Sequence, residues 1–92
     1  MSEADVVLSS IRAELRIYQY EYGEFPNEVH NNMIIGAGWN NIKDGELTRK
    51  YFSDESYTYR SANRQAYILN CSKGDVLDRD RTLNEAGVFS FD

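Results

Sequence analysis

Residues 4–26 read ADVVLSSIRAELRIYQYEYGEFP, and the spacing of the apolar residues in that stretch decides the fold. Placed at about 100° per residue, Ala4, Val7, Leu8, Ile11, Leu15, Tyr18 and Tyr22 fall within an arc roughly 100° wide, the width of one core-facing helical stripe. The spacing predicts a helix over about 3–22. Ser2 and Asp5 form an approximate capping box, and Glu3 and Asp5 place negative charge at the positive end of the helix dipole. Gly23 suits the left-handed conformation of a C-terminal cap, and Pro26, the only proline, prevents the helix from resuming.

On nearly the opposite side, Val6, Ala13, Ile17 and Tyr20 make a second apolar line. Ser9, Arg12 and Arg16 flank it on one side, and Ser10, Glu14 and Glu21 on the other. A helix in so short a chain rarely has two faces to bury. The second line therefore needs a partner, which the connection over 27–50 supplies if it folds across Ile17 and Tyr20.

The chain has 92 residues, enough for one domain that hides roughly 60–65% of its unfolded surface. Apolar residues at 41% and charged ones at 27% are ordinary for a soluble globular protein. Seven Tyr and four Phe substitute large rings for missing core volume. A net charge of -5 with scattered basic residues disfavours a nucleic-acid or anionic-lipid surface, either of which needs clustered Lys and Arg. Cys71 is the only cysteine, which leaves no internal disulfide and no thiolate metal cluster. No apolar run approaches the ~20 residues of a bilayer span, and no secretory signal pattern precedes Ser2.

Residues 23–56 read as a long connection, because Asn27, Asn31, Asn32, Asn40 and Asn41 alternate with Val29, Met33, Ile34, Ile35, Trp39 and Ile42 without a sustained period. Short helical turns are expected at about 27–33 and, capped by Asp44, at 45–52, where Leu47, Tyr51 and Phe52 cluster. From Ser53 the texture is that of strands. Tyr57–Ser61 and Ala66–Cys71 alternate, are rich in β-formers and are separated by the hairpin-length connection 62–65. Residues 72–87 read as a charged excursion and 88–91 as a last short strand. The expectation is a single α+β domain over 1–92: one long N-terminal helix packed on a small three-stranded antiparallel sheet at about 57–92.

Candidate chemistry is thin, and the expectation is a protein that is not an enzyme. His30 and Cys71 are the only histidine and thiol, so a Cys-His pair is the one nucleophile-and-base arrangement available. Cys71 alternates with Tyr67 and Leu69, which reads more simply as a small buried residue. Asp75, Asp78, Asp80, Asn84 and Glu85 carry oxygen ligands of the kind Ca²⁺ takes. The run lacks the turn glycine and terminal bidentate Glu of an EF-hand, and Arg79 and Arg81 compete for the same carboxylates. Asp75, Asp78 and Asp80 therefore stand as candidate Ca²⁺ ligands beside the simpler reading of a solvated loop; no other cofactor is expected.

The close of the helix carries a resemblance. Tyr18, Gly23, Phe25 and Pro26 stand in the order in which type IV pilins and type II secretion pseudopilins commonly end their long helix. Tyr51-Phe52 before the sheet, Tyr57 and Tyr59 in one strand, and Tyr67 in the next are similar in order as well. The resemblance implies a head domain that assembles with other pilin or pseudopilin subunits, in a pilus or a secretion pseudopilus at the bacterial cell envelope or surface. It also implies anchoring in the inner membrane, before assembly, through an apolar N-terminal segment. This chain shows no such segment and lacks the paired C-terminal cysteines of many pilins, so it resembles a head separated from its anchor or the head half of a split pilin. It further implies that Val6, Ala13, Ile17 and Tyr20 pack against neighbouring subunits. The alternative expectation is a soluble protein-binding module that uses the 27–50 connection, with Trp39 as its anchor.

Overall fold

A computed structural model describes residues 2–92. The predicted helix is present as α1, Glu3–Tyr22. Ser2 Oγ accepts the Asp5 N–H at 3.2 Å, and Gly23 takes φ 77° while its N–H donates to Gln19 O at 2.7 Å. Glycine adopts that left-handed conformation without the Cβ clash that other residues meet.

The sheet has five strands, not three. They are β1 Glu28–Met33, β2 Tyr57–Ser61, β3 Ile68–Cys71, β4 Arg81–Asn84 and β5 Phe89–Phe91. They form one antiparallel meander in chain order. The hairpin of β2 and β3 is where the alternation put it, with Tyr57 opposite Cys71 and Tyr59 opposite Leu69. β1 replaces the helical turn expected at 27–33. It is an edge strand whose side chains are almost all exposed, and its register shifts between Glu28 and Asn32. A strand that buries neither face has no apolar alternation to read. β4 lies inside the stretch read as a charged excursion. Leu83 faces the helix and is buried, but Arg81 shares that face, so polar residues stand on both sides and mask the period of two.

Helix and sheet form two layers with one continuous core. Ala4, Val7, Leu8, Ile11 and Leu15 of α1 pack toward Tyr57, Tyr59, Tyr67, Leu69, Cys71 and Leu83. Burial of each large aliphatic side chain contributes about 1.5–3 kcal/mol. Tyr22 was expected in the same stripe but is 63% exposed. It stacks on Tyr18 at 4.5 Å, in the last turn of α1.

The irregular segment 34–53 closes the side of this core with Ile34, Leu47 and Phe52, all buried. No helix forms at 45–52. The Asp54 carboxylate instead holds that segment, accepting from Gly45 N at 2.5 Å, Leu47 N at 3.1 Å and Thr48 Oγ1 at 3.1 Å. Three donors converging on one carboxylate fix a turn that helical hydrogen bonding would have to break.

Candidate functional site

The outer face of α1 is uncovered. Val6 is 50% exposed, Ile17 56% and Tyr20 93%, and Ala13 between them is exposed. The 27–50 connection leaves Ile17 and Tyr20 exposed, although its 38–41 loop borders Ile17 across a hollow. It packs on the sheet side, where Ile34 and Leu47 are buried and Ile35, Trp39 and Ile42 are partly buried.

Three charged side chains of α1 fasten the helix to the rest of the fold. Asp5 accepts from Arg81 Nε at 2.8 Å and Nη2 at 3.3 Å, and the Arg81 guanidinium lies over the rings of Phe89 at 5.0 Å and Phe91 at 4.4 Å. The Asp5 carboxylate thus serves β4 instead of closing the capping box on Ser2. Glu3 accepts the N–H of Tyr51 at 3.1 Å and of Phe52 at 2.9 Å. Arg12 donates to Glu85 O at 3.4 Å and lies across Gly87. A Cβ there would stand 3.2 Å from the guanidinium carbon, at a φ of 81°, so only glycine lets the turn approach this closely. Arg16, Glu14 and Glu21 are left without an ion-pair partner among the described residues. Arg16 lies on one flank of the exposed line and the two glutamates on the other.

Beside the acidic flank, Glu14, Tyr18, Glu21 and Tyr22 of α1 meet Trp39 across a hollow of about 200 Å³. Trp39 is partly buried and stacks on Tyr59 at 5.0 Å, while the Tyr59 hydroxyl donates to Pro26 O at 2.7 Å. The indole Nε1 has no hydrogen-bond partner, so packing alone holds the ring. Trp39 is thus tied into its own core and is a poor protruding anchor for the alternative binding-module reading.

The Cys-His pair is not brought together. Cys71 lies in β3 and His30 in β1, with β2 between them, a separation of about two strand spacings or 9–10 Å before any offset along the strands. Cys71 is fully buried and its thiol is pushed up to about 11 by that burial, which keeps it protonated and unreactive at neutral pH. His30 is exposed.

Asp75 and Asp78 are exposed. Asp80 closes its own loop, accepting from Lys73 N at 2.8 Å and from Asn70 Nδ2 at 3.4 Å. Among the described residues no group of three or more His, Cys, Asp or Glu side chains is placed to hold a metal ion. No helix among them is long and apolar enough to cross a membrane.

Sequence reasoning missed the roles of Glu3, Asp54 and Arg81. Their partners stand far along the chain or are backbone N–H groups, which leave no mark in spacing. In comparisons with protein-family models, with curated proteins and with solved structures, nothing matches this chain.

Proposed function

We propose that the chain is the head of a non-enzymatic, pilin-like structural subunit that assembles side by side with copies of itself or related subunits through the outer face of α1. The observation that carries this reading is the apolar line Val6, Ala13, Ile17 and Tyr20, exposed on a helix whose opposite face is buried from Ala4 to Leu15. An apolar line on a long helix that its own chain leaves uncovered marks an interaction surface. The free charges favour a second copy as the occupant. Two such helices laid face to face and running the same way set the Arg16 flank of one against the Glu14 and Glu21 flank of the other. Running oppositely, they set like charges together, which is the rule that governs flanking charges in paired helices. The order of elements around Tyr18, Gly23, Phe25 and Pro26 supports the more specific role, a type IV pilus or a type II secretion pseudopilus, inserted in the inner membrane before assembly.

The test is the double substitution Val6→Asp and Ile17→Asp in the host cell, carried in the gene's full reading frame. Exposed positions tolerate such changes within about 0.5 kcal/mol, so the head stays folded and circular dichroism and melting remain near wild type. Filaments are expected to disappear from the cell surface or the sheared fraction. Filaments in normal number from a stably expressed double variant would overturn the packing role.

A further inference from the structure

We infer that the hollow between α1 and the 38–41 loop is a binding site for a small alkylated ammonium ion. Tyr18, Tyr22 and Trp39 line it together with Glu14, Glu21, Ile17 and the 40–41 asparagines. A ring face attracts a cation through its quadrupole within about 6 Å of the centroid, and the attraction grows as the site is withdrawn from water. Tyr18 and Tyr22 already stand 4.5 Å apart with their planes tilted by 42°, and Trp39 stands across from them on the loop. Glu14 is half-buried and Glu21 exposed. No Lys or Arg lines the hollow, so within one copy Glu14 and Glu21 have no ion-pair partner among the described residues, and a cation is the ligand they favour.

The loop wall is built before any ligand arrives. Asn40 Nδ2 donates to Ile34 O at 3.1 Å and Asn40 Oδ1 accepts from Ile42 N at 2.9 Å, which sets the backbone on either side of Asn41 and next to Trp39. A preformed wall removes the ordering cost of binding. The Asn40 amide is thereby engaged, which leaves Glu14, Glu21 and Asn41 as the side-chain acceptors among the lining residues. A methylated ammonium needs few acceptors, because its methyl groups rest on rings and its charge is answered by the two glutamates. About 200 Å³ is smaller than the ~300–1,000 Å³ of a drug-sized pocket and suits a head group without a large body. The site is a property of one copy and does not rest on the filament reading.

Trp39 is the only tryptophan, so intrinsic fluorescence reports the site directly. The intact chain is titrated with tetramethylammonium chloride at constant ionic strength, beside neopentyl alcohol as an uncharged probe of similar shape. The expected result is a saturable change in Trp39 emission with tetramethylammonium and none with the alcohol. In a Glu14→Gln, Glu21→Gln double variant, binding weakens by about tenfold or more, while the melting curve stays near wild type because neither carboxylate has an ion-pair partner among the described residues. Absence of a saturable change, an equal response to the alcohol, or an unchanged titration in the double variant would each overturn the assignment.

Discussion

Arg81, on the fourth strand, donates two hydrogen bonds to the carboxylate of Asp5 in the first turn of the helix, across 76 residues of sequence. Their side chains are only 18% and 17% exposed, and Phe89 and Phe91 hold the guanidinium from the β5 side. Hydrogen bonds between ionised groups that are largely screened from water are stronger than surface ion pairs, and their geometry sets orientation as well as energy. This pair fixes the rotation of α1 on the sheet. Together with the buried stripe of Ala4, Val7, Leu8, Ile11 and Leu15 it keeps the outer face of the helix outward.

Asp5→Asn and Arg81→Lys are each expected to lower stability by about 1.5–3 kcal/mol, the range for hydrogen bonds to charged groups. The double variant should lose much less than the sum, because the second change removes a bond already broken. Urea denaturation of the four proteins measures this coupling. Additive losses would show that the pair contributes nothing as a pair.

Asp54 makes the fold sensitive to acid. Its carboxyl is held below the usual value of 3.8, first by the hydrogen bond from Gly45 N and further by Thr48 and Leu47. A carboxyl whose pKa is depressed in the folded state stabilises that state above its unfolded pKa, and the contribution disappears as pH falls through the folded value. The melting midpoint of wild type should therefore exceed that of Asp54→Asn at neutral pH, and the gap should narrow as pH falls below the usual value of 3.8. A gap of constant size across that range would show that the amide substitution acts otherwise.

The helix was legible because it has one buried stripe with a sharp edge: Ala4 through Leu15 repeat every three or four residues, and Gly23 and Pro26 mark the stop. The β2–β3 hairpin was legible because Tyr57, Tyr59, Leu69 and Cys71 all point at the helix. β1 and β4 were hidden for opposite reasons. Glu28–Met33 buries almost nothing, whereas Arg81 is polar yet faces the core because Asp5 awaits it. The 45–52 segment was misread as helical because Leu47, Tyr51 and Phe52 have helical spacing, while the residue that shapes it, Asp54, lies beyond its end. Of the candidate sites, the outer line on α1 was readable from its angle alone. The hollow beside Trp39 depends on a loop folding back against Glu14 and Tyr18, which no local pattern encodes.

Asp80 is expected to serve its own loop, not a metal. Asp80→Ala removes the acceptor for Lys73 N and should lower stability by about 1–2 kcal/mol. Melting curves of wild type in excess Ca²⁺ and in chelator should superimpose, because a ligand bound only by the native state must raise its midpoint. A rise with Ca²⁺ that is lost in Asp75→Asn, Asp78→Asn would establish a metal site at this loop.

Tyr57 combines two features that set the behaviour of the fold in alkali. Its ring is fully buried between helix and sheet, and its hydroxyl has no hydrogen-bond partner; a buried unsatisfied hydroxyl costs about 1–3 kcal/mol. Tyr57→Phe removes that cost and should leave the protein at least as stable as wild type, by up to about 1 kcal/mol after the lost packing of the oxygen. Burial also raises the Tyr57 and Tyr59 hydroxyls well above the usual tyrosine value, Tyr67 to about 12 and the Cys71 thiol to about 11, from 10.0 and 9.0. Groups whose pKa is raised on folding stabilise the native state fully below their unfolded values, and that contribution is lost as pH rises through the folded ones. Stability should therefore hold to about pH 9 and fall from there toward pH 11–12 as the unfolded chain ionises first. Cys71 reactivity toward a thiol reagent should appear together with unfolding. Reaction of Cys71 at neutral pH in the folded protein would contradict the burial on which these shifts rest.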